Sequence, residues 1–163
     1  VGYVDRENQF IPVKTGAFNS SVDNMTQDYQ GNLYSGTDNG LDIIDEENRK
    51  NIQNKLTKKL ENNRIRCLMV DSKNHLWVST TAGVGLLEVY PNGKIRTYSP
   101  KKGTIDNRFR STLELKDGTI VAAENTGLDF IKDGKVVATI GKEDGLTNPQ
   151  ILSLMEMDDG SYC

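Results

Sequence analysis

The sequence predicts an all-β fold assembled from repeated small antiparallel sheets, and three observations predict it. A motif returns at nearly constant spacing, apolar residues alternate within each copy, and Gly or Asn marks the tips between runs. One copy runs from Val22 (VDNMTQDYQGNLYSGTDNGLDII), the next from Ile65 (IRCLMVDSKNHLWVSTTAGVGLLEV) and a third from Phe109 (FRSTLELKDGTIVAAENTGLDFI). A fourth, ILSLMEMDDGSYC, starts at Ile151. Forty-three positions separate Asp28 from Asp71, Leu33 from Leu76 and Gly40 from Gly83. The next interval is 44, from Leu76 to Ile120 and from Gly83 to Gly127, and the last is 42, from Ile120 to Tyr162. A period in the low forties is that of a four-stranded propeller blade.

Within the second copy each element has its own signal. Ile65–Val70 is a short apolar run, and Asp71-Ser72-Lys73-Asn74 is a turn. Leu76–Thr80 combines aromatic and β-branched residues, a turn near Gly83 leads to Leu86–Tyr90, and Pro91-Asn92-Gly93 opens a hairpin to Lys94–Tyr98. Similar tips recur at Gly31, Gly118, Gly134 and Gly160, where a positive φ is needed. The polar stretch Asn48–Asn62, with only Ile52, Leu56 and Leu60 recurring, is expected to be the outer strand and inter-blade loop of its repeat; a solvent-facing helical turn is the alternative. Residues 1–14 align with the second half of a blade, 15–58, 59–102 and 103–145 with three blades, and 146–163 with the first half of another. About four blades' worth of strands is expected, as a fragment of a larger ring of six to eight blades. Two copies sharing one ring, or the ends meeting in a small ring, are the alternatives. Unpaired blade edges invite self-association.

Composition narrows the function. The chain has 163 residues, 36% hydrophobic, with a net charge of -3 and interspersed signs. No basic stripe points to nucleic acid. No apolar stretch approaches the ~20 residues of a membrane-spanning helix, and no signal-peptide pattern opens the chain. Any membrane anchors of a parent receptor are expected outside these residues. Cys67 sits in an apolar run and Cys163 is last; two cysteines define no disulfide framework.

The block Asp71-x-x-Asn74-x-Leu76-Trp77-Val78-Ser79-Thr80-x-x-Gly83 resembles the two-component-regulator propeller repeat. Asp28–Leu41 matches that pattern more fully, and Gly145-Leu146-Thr147-Asn148-Pro149-Gln150-Ile151 resembles the family's inter-blade segment. The third copy departs, with Ile120–Glu124 in place of the Leu-Trp-Ile-Gly-Thr strand. The resemblance implies the extracytoplasmic sensor of a bacterial membrane receptor, a histidine kinase, hybrid receptor or diguanylate cyclase, whose propeller binds a small ligand such as an oligosaccharide.

The residues themselves offer little catalytic chemistry. The single histidine, His75, reads as a solvent-facing turn residue, and the acid pairs Glu46-Glu47, Glu143-Asp144 and Asp158-Asp159 as solvated turns. Neither a metal set nor a phosphate loop appears, so no cofactor and no enzymatic activity are expected. Trp77, with Tyr34 in the matching place, reads as blade core. Recognition is expected on the loops of one face. Asn19, Asn62, Asp106 and Asn148 recur before each first strand as turn caps, and Asn19-Ser20 and Thr81-Ala82 belong to the loops. The ligand candidates are Asp38, Asn39, Arg64, Thr81, Arg108, Glu124 and Asn125, suited to a small polar ligand such as a sugar or a carboxylate-bearing molecule. A lyase or lactonase-like propeller enzyme and a plain protein-interaction scaffold remain as alternatives.

Overall fold

The computed structural model describes residues 2–4, 6–12, 21–45, 47, 50–81 and 83–162. Asn19, Ser20, Glu46, Ala82 and Cys163 lie outside the described residues. Strands β1 (Gly2–Val4) and β2 (Phe10–Pro12) form a two-stranded antiparallel sheet. A three-stranded sheet follows, β3 (Val22–Gln27), β4 (Leu33–Thr37) and β5 (Gly40–Ile44). The next sheet is four-stranded: β6 (Ile65–Val70), β7 (Leu76–Thr80), β8 (Leu86–Val89) and β9 (Ile95–Tyr98). So is the last: β10 (Phe109–Glu114), β11 (Ile120–Glu124), β12 (Gly127–Lys132) and β13 (Lys135–Gly141). Strand order follows chain order in every sheet, and all pairs are antiparallel. β3 packs on β6 and β6 on β10, so the first strands stand together on the inner side of an arc of propeller blades.

Burial explains the sequence. Counting β3–β5, β6–β9 and β10–β13 as the first, second and third full sheets, Leu76 and Val78 of β7 join Leu41, Ile43, Ile65 and Leu68 in a core between the first and second. Trp77, the residue between them, joins Phe109, Ile120 and Ala122 in the core between the second and third. Alternation in β7 thus serves two interfaces, which is why all five of its residues are buried. The turn joining the first two strands is identical in four copies. Asp28, Asp71, Leu115 and Met157 each donate N–H to the carbonyl four residues on, at 2.7–3.1 Å. In two copies the opening Asp also reaches the second strand: Asp28 Oδ2 accepts from the Tyr34 hydroxyl at 3.0 Å, and Asp71 Oδ2 from the Trp77 indole N–H at 2.9 Å. The third copy has Leu115 and Val121 there, packed in one apolar cluster.

Two expectations are corrected. Within Asn48–Asn62, Lys55–Lys59 is an α-helix, α1, and the outer strand shrinks to one bridge, Asn51 with Ile44. Asn54 caps it, its side chain accepting from the N–H groups of Leu56 and Thr57 while the Thr57 hydroxyl accepts from the Asn54 N–H. The helix is not solvent-facing on all sides: Leu56 and Leu60 are buried and Ile52 packs beside them. Those three residues were the apolar face that looked too sparse for a helix.

The second correction concerns register. Gly36, Ser79 and Ala123 pair with Leu41, Leu86 and Leu128, so Gly40, Gly85 and Gly127 are equivalent, not Gly83. The loop after β7 is two residues longer than its counterparts. All three glycines have positive φ, and a Cβ on each would press on a backbone carbonyl, that of Leu60, Tyr98 or Ile140. Replacing Gly85 by Ala is expected to cost more than the ~1–3 kcal/mol of a disfavoured backbone conformation, because the Tyr98 carbonyl blocks the methyl. Gly93→Ala, with open space around its Cβ, is expected to cost only the conformational part. Urea unfolding of the two variants, read as midpoint shifts, checks this order.

Candidate functional site

The sheets present two ends. On the hairpin end the turns are tied to one another. Tyr29 N–H donates to Asn74 Oδ1 at 3.0 Å, Asn74 Nδ2 to Gln30 Oε1 at 2.9 Å, and Ser72 Oγ to Glu114 Oε1 at 2.6 Å. A groove of about 640 Å³ opens there between the first two full sheets, bordered by Asp28, Tyr34, Asn74 and Tyr90. A smaller one of about 250 Å³ lies between the second and third, beside His75, Glu88 and Arg96. His75 is not solvent-facing as the sequence suggested. Its side chain is 16% exposed, with Nδ1 3.0 Å from Glu88 Oε1 and 3.4 Å from Asp71 Oδ2, and its ring lies against Tyr90. Glu88 is buried and also meets Arg96 at 3.1 Å and the Tyr98 hydroxyl at 2.8 Å. Burial, and to a lesser degree the Glu88 carboxylate, push the Tyr98 phenol far above its ordinary pKa, so it stays a donor.

The opposite end carries the loops and most of the expected ligand residues. Asp38 and Arg64 meet directly, Arg64 Nε to Asp38 Oδ1 at 2.6 Å, and Asp23 receives both Arg64 and Arg66 at 3.3 Å. Thr81 N–H donates to the Arg64 carbonyl, and the Asn39 carbonyl accepts from the Asn62 N–H. These seven residues therefore form one polar patch across the first two full sheets. Arg108 is bound to Asp106 of its own segment at 2.9 Å, and Asn125 Oδ1 accepts from Arg110 Nε at 2.7 Å. Among the proposed caps, Asn148 Oδ1 accepts from the Gln150 N–H, while Asn62 supplies a positive φ of 60° instead.

Sequence reasoning missed Asp23, Arg66 and Arg110. Each is the extra residue of a β-bulge: the register slips between Val22 and Asn24, Ile65 and Cys67, and Phe109 and Ser111. A bulge re-aims its side chain and leaves it unopposed on the partner strand. The signal was present as charges inside apolar first strands, repeating 43 and 44 positions apart.

Glu124 is also corrected, because it is not on the surface. It is fully buried, as is Asp129 opposite the end of its strand. Glu124 Oε2 accepts from the Asp106 N–H, and both Asp129 oxygens accept from the Ile105 N–H at 3.3 and 3.4 Å. The two carboxyls grip the segment entering β10. Burial first, then the neighbouring Asp129, raise the Glu124 pKa well above the carboxylate range, and burial raises that of Asp129. Two such groups cannot both ionise. Glu124 holds the proton, because its Oε1 otherwise has no partner while Asp129 already accepts an N–H on both oxygens. Among the described residues no three His, Cys, Asp or Glu side chains converge as a metal site.

Arcs of four-stranded antiparallel sheets with first strands innermost define a β-propeller segment. Residues 59–82, from the last residue of α1 to just past β7, match the model of the two component regulator propeller family. That segment thus matches the repeat that the sequence resembles. Solved structures similar in fold include an extracellular domain of a hybrid two component system of B. thetaiotaomicron, at 17% identity and a TM-score of 0.72 over 99% of this chain and 24% of that one. A second such domain from that organism gives 17%, 0.57, 89% and 25%. Virginiamycin B lyase of Staphylococcus aureus gives 14%, 0.69, 90% and 49%. The chain spans about a quarter of the length of the two extracellular domains. No curated protein matches it in sequence.

The buried pair sets a pH dependence. The unfolded chain ionises Glu124 near its ordinary 4.5, while the folded chain keeps it protonated. Its stabilising share is whole below that value and declines as pH rises, at up to about 1.4 kcal/mol per pH unit. Thermal unfolding from about pH 5 to pH 8 is expected to show a falling Tm. Glu124→Gln, whose amide can donate to Asp129 and accept from Asp106, is expected to flatten the slope and raise the Tm at pH 8.

Proposed function

We propose that this chain is part of the extracytoplasmic ligand-sensing propeller of a bacterial membrane signalling receptor, non-catalytic in itself, and that it binds a small polar ligand such as a sugar on its loop face. The observation that carries the reading is the family repeat at residues 59–82 on a propeller arc, supported by the fold shared with the extracellular domains of hybrid two component systems. The exposed charge of the loop face favours that end: Asp38 and Arg64, paired across two sheets, are 44% and 47% exposed at the rim. The remainder of the parent receptor is the partner this reading implies, with output in another part of that protein.

A second reading, a propeller lyase, draws on the fold shared with the S. aureus enzyme and on His75 held by Glu88 and Asp71 beside the smaller hairpin-end groove. Titrating the protein with a panel of neutral and charged oligosaccharides separates the readings. A Tm rise of about 2 °C or more at saturating sugar, reduced by Arg64→Ala, is expected. No shift with any sugar, together with conversion of quinupristin that His75→Ala abolishes, would replace sensing by catalysis. Quinupristin is the compound named with the S. aureus lyase.

A further inference from the structure

Among the described residues the loop face carries four arginines, and three have carboxylate partners: Arg64 and Arg66 on Asp23, with Asp38 for Arg64, and Arg108 on Asp106. Arg110 differs. Its Nε donates to Asn125 Oδ1 at 2.7 Å, and among the described residues it forms no ion pair. Gln150 Nε2 donates to the same oxygen at 3.4 Å. One acceptor thereby fixes a guanidinium and an amide from two segments, the inner strand β10 and the segment after β13. The terminal nitrogens of Arg110, the edge that binds planar oxyanions in a two-pronged grip, have no partner among the described residues.

The surrounding charges do not compensate it. Asp106 is matched by Arg108, and the nearby acid Glu124 is buried and turned to the Asp106 N–H. A half-buried cation without a counter-charge is unfavourable unless a ligand supplies one. The bulge that places Arg110 also places Asp23 and Arg66, and in that case the two bulge residues of neighbouring sheets pair with each other. The third sheet repeats the backbone device and lacks the acid.

We propose that Arg110, Asn125 and Gln150 form a subsite for the carboxylate of an acidic sugar. Arg110 grips the carboxylate with its terminal nitrogens, while the Asn125 and Gln150 side chains hold its orientation and offer amide hydrogen bonds to neighbouring hydroxyls. The inference rests on the sensing reading above and names the ligand class within it.

Glucuronate and glucose, which differ at one carboxylate, are the probes, together with short oligomers of each, followed by calorimetry and by NMR of the protein. Expected is binding of the uronates at least about tenfold tighter than of the neutral sugars, weakening with salt. Arg110→Gln is expected to remove that preference. Asn125→Asp sets a carboxylate beside Arg110 and is expected to abolish uronate binding while leaving the Tm unchanged or higher, which separates loss of the site from loss of the fold. Equal binding of neutral and acidic sugars, untouched by both variants, overturns the subsite and leaves the sensing reading standing. No binding of either class overturns the subsite and counts against the sensing reading as well.

Discussion

The structure depends on strands buried on both faces. β7 is the clearest case: Leu76 and Val78 pack toward one neighbour and Trp77 toward the other. No sheet here has a core of its own. Each is thin, and its stability comes from the two interfaces it shares, so the chain behaves as a stack of nearest-neighbour contacts. β11 continues the scheme with smaller residues, Ile120 and Ala122 on one side, Val121 and Ala123 on the other, the latter covered by Ile151 and Leu154 of the following segment. A modest apolar content suffices because the same few residues in each repeat serve two contacts.

The outer edge of each sheet is freer, and the limit of that freedom is visible. β9 and β13 are strands, while the first three-stranded sheet ends in α1. What persists is a backbone carbonyl, of Leu60, Tyr98 or Ile140, set against the glycine that opens the third strand. Helix and strand are interchangeable there provided that this contact survives and an apolar side chain is delivered inward. Leu60 and Tyr98 are both buried. The constraint is on approach distance, not on secondary structure.

This distinction explains what the sequence made legible. The period, the four turns and the core role of Trp77 and Tyr34 all follow from local chemistry repeated in register, and a repeated signal is read four times. α1 was hidden because three apolar residues look too few for a helix until a neighbouring sheet is known to cover them. Gly83 took the place of Gly85 because a two-residue insertion preserved the spacing by chance. His75 and Glu124 looked exposed because turns and strand ends are usually wet; here Glu88 and Tyr90 enclose the first, and the segment entering β10 covers the second. None of those covering contacts is local in sequence.

The third sheet shows how such a scaffold acquires individuality. The position at the end of the second strand is Thr37 in one copy and Thr80 in the next, and each hydroxyl donates to the carbonyl of the glycine that opens the third strand. In the third copy it is Glu124, too long for that bond, so it reaches the segment entering β10 and needs Asp129 and a proton to be tolerated. Holding Ile105 and Asp106 from below fixes the chain that leads into the β10 bulge, and hence the place where Arg110 emerges. A backbone frame that repeats thus leaves side-chain differences to decide where charge is cancelled and where it is left uncancelled. The hairpin end bonds across its turns beside its two grooves. The loop end cancels charge between its first two full sheets and in the third keeps a guanidinium that nothing among the described residues neutralises.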